Sequence, residues 1–360
     1  MYKFLLFVTH FMPFVKKVSK YKKKGVYLRE SFVKQIAMEK LLFHPTIIAI
    51  VLAIIISACE SKDPESVPES KQMTLELQNP TTVEIEMSGS GSVTIDWGDN
   101  SAIEEDKFSS GYSKYRHEYS GVSACTITVT GVNVSGFVCN KILLTGLDVS
   151  ENIDLVSLYC DHNRLTKLDV SKNTALETLS CDHNELTTLD VSRNIKLTTL
   201  WCHNNRLDLL DIEKNIALSI LNCEYNRFTD LDVTKNIILR ELFCGNNRIT
   251  ALNVNNNLSL RVLDCGKNLL TSLDMDKNTE LTEVYCAGNQ LTDLDMTRNT
   301  ALFELDCASN RLQAESLNEL FQTLHNNTIQ RKEKTISING NPGRLSCDRK
   351  IAEERGWQVY

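Results

Sequence analysis

Nine cysteines, at positions 139, 160, 181, 202, 223, 244, 265, 286 and 307, fall at a constant interval of 21 residues. A fixed period of this size marks a stacked array in which each repeat is one structural unit, too thin to bury an apolar face without its neighbours. The same frame surrounds each cysteine, as in Leu155, Leu158, Cys160, Asn163, Leu165, Leu168, Asp169, Val170 and Asn173. Leu158 and Cys160 are two apart, so on a short strand both point into the coil while Ser157, Tyr159 and Asp161 point out. Stacked about 4.8 Å apart, the Leu, Cys and Val columns bury one another continuously. Asn163, Asn184, Asn205, Asn226, Asn247, Asn268, Asn289 and Asn310 form a further column. Their amides are expected to bond the turn backbone, because each buried polar group left unpaired costs about 1 to 3 kcal/mol.

This frame resembles the leucine-rich-repeat family across residues 135–312. The resemblance implies a repeat solenoid of parallel β coils that binds a partner on its concave face. In the second half of each coil Asp148, Asp169, Asp190, Asp211, Asp232, Asp274 and Asp295 recur, with Asn253 substituting once. They read as exposed turn-forming carboxylates or as a calcium ladder.

The N-terminal region has a different character. Residues 1–58 carry ten Lys/Arg against Glu30 and Glu39, so their removal takes the formal charge from -7 to -15. An acidic mature chain argues against a nucleic-acid partner, whose phosphates require clustered basic residues. Thr46 to Ala58 is an apolar run of 13 residues, short for a membrane span and suited to a signal-peptide core. Ile56-Ser57-Ala58-Cys59 resembles the bacterial lipobox, which implies lipidation at Cys59 and a membrane attachment through that lipid. Residues 38–58 then form the signal peptide, while residues 1–37 are an extended n-region or precede a true start at Met38. Residues 59–71, polar and Pro-containing, read as a tether. Glu60, Asp63 and Glu65 behind the lipidated cysteine resemble the export signal of surface lipoproteins in Bacteroides-like bacteria. The implied location is the outer membrane at the cell surface.

Residues 72–134 alternate in short segments separated by Gly, Ser, Asn and Pro, the pattern of a small antiparallel β-sandwich. Asp96-Trp97-Gly98-Asp99-Asn100 and His117-Glu118-Tyr119 resemble a PKD-like domain. Trp97 is expected in the core, Asp96 and Asp99 in a turn, and His117 in a local hydrogen bond. After Cys307 the period breaks, and residues 313–360 read as a C-terminal α/β cap. It comprises a helix at 314–324, a strand at 335–339, a turn at Asn341-Pro342-Gly343 and a last short helix at 348–355.

Twelve cysteines in an exported chain invite disulfides. Ladder cysteines on adjacent strands have parallel Cβ vectors, however, which is poor geometry for a bridge, so they are expected as free thiols in the core. Histidines beside the ladder, in Cys160-Asp161-His162, Cys181-Asp182-His183 and Cys202-His203, raise a metal-thiolate site. Strand alternation separates the inward thiols from the outward Asp161, Asp182 and His203, so no metal and no cofactor are expected. Phosphate loops, HExxH and nucleophile elbows are absent from the sequence, and the chain is expected not to be an enzyme.

One outward column varies informatively: Tyr159, Ser180, Trp201, Asn222, Phe243, Asp264, Tyr285 and Asp306 precede successive ladder cysteines. An aromatic on every second coil gives rings about 9.6 Å apart. The flanks add His203, Glu224 and Glu241. Tyr159, Trp201, His203, Glu224, Glu241, Phe243, Asp264 and Tyr285 are the candidate ligand-binding residues. The column reads as a binding face or as a strand position that merely tolerates rings. A monomeric surface protein recognising a basic or amphipathic protein partner, as an adhesin or receptor, is expected. A glycan-binding lipoprotein and a structural spacer are the alternatives.

Overall fold

The computed structural model describes residues 70–360 apart from Ser110, Gln330 and Arg331. The signal peptide, Cys59 and most of the tether lie outside the described residues. Among the described residues no helix is long and apolar enough to cross a membrane.

Eight strands open the fold: β1 Lys71–Gln78, β2 Thr82–Gly89, β3 Ser92–Asp96, β4 Glu104–Lys107, β5 Ser113–Glu118, β6 Ala124–Gly131, β7 Val134–Val138 and β8 Leu144–Asp148. One antiparallel sheet has the order β4-β3-β6-β1-β8, and β5-β2-β7 begin the other. Alternation of type and burial places Met73, Leu75, Leu77, Val83, Ile85, Met87, Ile127 and Val129 between them, all essentially inaccessible. Trp97 is buried as expected, and Asp96 and Asp99 accept the Gly98 and Ser101 amide hydrogens in the turn. His117 Nε2 stands 2.7 Å from Asp99 Oδ2, and its ring stacks on Trp97. The bond from Ser101 and then the one from His117 hold the Asp99 carboxyl well below the usual range.

The sandwich does not stop at residue 134. Both β7 and β8 complete it, with β8 pairing β1 and β7 pairing β2. On its other edge β7 pairs in parallel with the first strand of the array, Phe137 opposite Leu158. The sheet edge of the sandwich is therefore the first template of the solenoid, and its open hydrogen-bonding groups are covered.

The array supplies one three-residue strand per coil: β9 Ser157–Tyr159, β10 Thr178–Ser180, β11 Thr199–Trp201, β12 Ile220–Asn222, β13 Glu241–Phe243, β14 Val262–Asp264, β15 Glu283–Tyr285 and β16 Glu304–Asp306. Each pairs in parallel with the next in constant register. The central Leu or Val of every strand and the cysteine after it are buried. The ladder cysteines are free thiols, and desolvation raises their pKa values, Cys202 to about 12.

Two asparagine columns fasten the coils. Asn184 Nδ2 donates to Cys160 O at 3.0 Å and Cys181 O at 3.1 Å, while its Oδ1 accepts from Leu165 N at 2.9 Å. One amide thus satisfies backbone groups on two successive coils. In the second column Asn194 Nδ2 bonds Val170 O and Asn173 O, and its Oδ1 has no partner among the described residues. The recurring aspartates accept the amide hydrogen two residues on, as Asp169 does from Ser171, and Asn253 does the same for Asn255. That interchange suits a turn-forming role.

The cap begins with helix α1, Ala314–Thr323, which buries Leu317, Leu320 and Phe321. A strand β17, Lys334–Ser337, pairs with β16, and a 3-10 turn follows at Pro342–Leu345. Helix α2 is only Lys350–Glu353, and an unforeseen last strand, β18 Trp357–Val359, pairs with β17. The C-terminal segment therefore extends the sheet as well as shielding its end. Sandwich edge, array and cap share a sheet of 13 strands.

Candidate functional site

Constant register converts the variable outward column into a continuous row. Tyr159, Ser180, Trp201, Asn222, Phe243, Asp264, Tyr285 and Asp306 are successive pairing partners, bounded by Val138 and Ser337. Ser180 is buried, and the other seven are half-buried. The row thus offers ring faces and acidic groups packed sideways, with little freedom to lose on contact.

Around Phe243 the row becomes acidic. The coils of Cys244 and Cys265 carry Gly245 and Gly266 where others carry Asp161, Asp182, His203 or Glu224. A Cβ on Gly245 would stand 2.9 Å from Asp264 Oδ1 and 3.1 Å from Glu224 Oε1, so those oxygens lie within about 6 Å of each other. Two glycines therefore open the space into which carboxylates from neighbouring coils converge. Burial and then the Asp264 charge raise the Glu224 pKa. Burial raises that of Asp264 as well, with Asp306 adding to it against the opposing bond from the Gly266 amide. Tyr285 donates to Glu283 at 3.1 Å. Glu241 stands across its strand from Phe243, between Ile220 and Val262 in the neighbouring row.

The eight candidate residues do not form one site. Trp201, Glu224, Glu241, Phe243, Asp264 and Tyr285 share the central stretch of the sheet. Tyr159 lies at its N-terminal end, where burial raises its hydroxyl pKa and Tyr112 of the sandwich adds to the effect. His203 belongs to a separate cluster.

That cluster arises from a backbone feature. The second residue after each ladder cysteine adopts the left-handed conformation, at Lys141, His162, His183, Asn204, Tyr225, Asn246, Lys267, Gly288 and Ser309. With φ values of 56° and 51°, His162 and His183 turn back over the neighbouring Asp161 and Asp182. Their rings stack with centroids 4.0 Å apart. His183 Nδ1 is 2.9 Å from Asp182 Oδ2, His162 Nδ1 is 3.8 Å from it, and His203 Nε2 is 3.5 Å from it. Ser180 Oγ donates to the other oxygen, Oδ1, at 2.7 Å. Asp182 is consequently only 6% exposed, although alternation along the strand places it on the outward side. Burial lowers the His203 pKa, while the Asp182 charge opposes the shift. The ladder thiols point inward and take no part. The Cys-Asp-His triplets carried a signal for this cluster, but only the left-handed turn brings imidazole and carboxylate together.

No protein-family model matches the chain, and no curated protein matches it. Among solved structures, the functional domain of InlJ from Listeria monocytogenes, described as including a cysteine ladder, is 35% identical with a TM-score of 0.54. The match covers 61% of this chain and 47% of that one, so the chain spans about half of the InlJ domain. YopM, a leucine-rich effector protein from Yersinia pestis, matches at 20% identity and a TM-score of 0.45, over 57% of this chain and 60% of that one. With one short parallel strand per coil, stapling asparagines and a buried column of free thiols, the array is a leucine-rich-repeat solenoid built on a cysteine ladder.

Proposed function

We propose that this protein is a non-catalytic surface lipoprotein that recognises a basic polypeptide through the outer face of its parallel sheet, around Trp201, Glu224, Phe243 and Asp264. The observation that carries the reading is the convergence of two partly desolvated carboxylates over Gly245 beside half-buried rings. A Lys or Arg side chain placed there relieves the carboxylate repulsion and meets an aromatic face as well. Glu241, Tyr285 and Tyr159 extend the contact along the row. In this reading the PKD-like sandwich stands in the chain between a lipid anchor at Cys59, at the outer membrane, and the array. The test is a screen against arrays of extracellular proteins and of glycans, repeated at low and high salt. A protein hit weakened by salt supports the proposal, because the attraction of an acidic face for an approaching basic ligand beyond about 8 Å is screened at physiological ionic strength.

Rings on alternate coils also favour a second reading, stacking on an extended glycan. A salt-insensitive glycan hit that disappears with Trp201→Ala would replace the protein ligand with that one.

A further inference from the structure

The histidine cluster flanks the row at Ser180 and Trp201, away from the carboxylates at Glu224 and Asp264. Three imidazoles converge on a single oxygen, Asp182 Oδ2, at 2.9, 3.5 and 3.8 Å. One hydrogen bond, from His183, accounts for the shortest approach. The other two are too long to be good hydrogen bonds. His162 makes its own shorter contact with Asp161 at 3.2 Å, but His203 has no better partner among the described residues. Its Nδ1 is buried and unpaired, so that ring is a polar group held beside the carboxylate without compensation.

We propose that His162, His183 and Asp182 form a binding site for one divalent transition-metal ion of the zinc class. Their three ligand atoms lie within 4.8 Å of one another. Bonds of about 2.0 to 2.1 Å in a tetrahedral site set ligand atoms about 3.3 Å apart, a spacing that the contacts to Asp182 Oδ2 bracket. Two imidazoles with one carboxylate suit zinc, nickel or copper and are too nitrogen-rich for calcium or magnesium. Ser180, bonded to the second oxygen of Asp182, fixes the carboxylate as an outer partner should. His162 and His183 are about 40% exposed at their side chains, which gives the ion a route in. Binding fans the stacked rings out of their 10° interplanar arrangement around the ion. His203 flanks the position left for a fourth ligand, which is a water, that imidazole or a group on a partner.

The test titrates the untagged full-length chain with zinc by calorimetry and with cobalt by visible absorption. One ion per chain is expected, with the ligand-field bands of a nitrogen and oxygen site. The paired variant His162→Asn and His183→Asn keeps residues that suit the left-handed backbone, since Asn204 and Asn246 occupy the same column. Its zinc affinity should fall by at least the roughly 10- to 100-fold that loss of even an outer partner costs. Asp182→Asn should weaken binding while keeping an acceptor for Ser180. An independent readout on the unaltered chain is zinc protection of His162 and His183 from diethylpyrocarbonate. Absence of zinc binding by the unaltered chain, undiminished binding by a folded paired variant, no protection of the two histidines, or a cobalt-thiolate charge-transfer band would each overturn the proposal.

Discussion

At the scale of single residues, the repeat frame fixes which atoms are spent on stability and which remain for contact. Leu, Val and Cys point inward, and asparagine amides take up the backbone groups that three-residue strands leave open. Glu224 and Asp264 stand apart from both: burial raises their pKa values, with the Asp264 charge adding to the shift of Glu224 and the Asp306 charge to that of Asp264. A carboxyl whose folded pKa exceeds its unfolded value destabilises the fold once ionised, so stability falls as pH rises through the folded value. Asp264→Asn keeps an acceptor for the Gly266 amide and should therefore stabilise the protein at neutral pH. The gain should vanish as pH falls below the unfolded carboxylate range, as read by urea midpoints for both forms across pH. The same substitution should weaken ligand binding. Both residues were visible in the sequence, Asp264 in the outward column and Glu224 on its flank. Their convergence was not, because it depends on Gly245 and Gly266 leaving space one coil away. Likewise, Asp182 reads as outward from strand alternation, and only the left-handed residues His162 and His183 reveal what covers it.

At the scale of elements, the coils of the array were readable because each recurs in the same frame, although each strand ends one residue before the ladder cysteine expected on it. Elements that occur once were less so. The final strand Trp357–Val359 has three residues and no repeat to announce it, and the last helix is four residues long where eight were expected. The sandwich was expected to end at residue 134, yet β7 and β8 complete it, because pairing between a sandwich edge and a solenoid coil leaves no local pattern. In the cap, a Cβ on Gly343 would fall 2.1 Å from the Ala314 backbone nitrogen, so the 3-10 turn meets the start of α1 with no room for a side chain. Gly343→Ala should cost about 3 kcal/mol, in the range of overpacked buried sites. Thermal unfolding measures the loss, and amide exchange should place it in the last coils before the sandwich. The thiols report on the same elements. Burial raises the pKa of Cys347 as it does those of the nine ladder cysteines, but Cys347 is only half-buried while the ladder thiols are wholly enclosed. Since thiolate and access control alkylation, iodoacetamide should label Cys347 first and reach the ladder only when coils open, with mapping by mass spectrometry.

At the scale of the whole molecule, the continuous sheet joins sandwich, array and cap, so the variable row is presented on one support. A sheet in constant register spaces its side chains regularly, and that regularity turns a sequence column into a surface. The period of 21 residues made the support and the row legible together, while the ligand's chemistry enters only through the way neighbouring columns lean over one another. The acidic centre at Glu224 and Asp264 and the proposed metal ligands His162, Asp182 and His183 lie on different coils, with Trp201 and His203 sharing the coil between them, so the two sites can be altered separately. The central measurement is binding by the double variant Trp201→Ala and Phe243→Ala, with circular dichroism and melting to confirm folding, against the extracellular-protein hit selected from the array screen. Both rings lie on the outer face and leave the buried columns intact, so a folded protein that no longer binds is the predicted result. A folded double variant that binds as well as the unaltered chain would contradict the assignment of the sheet face as the recognition surface.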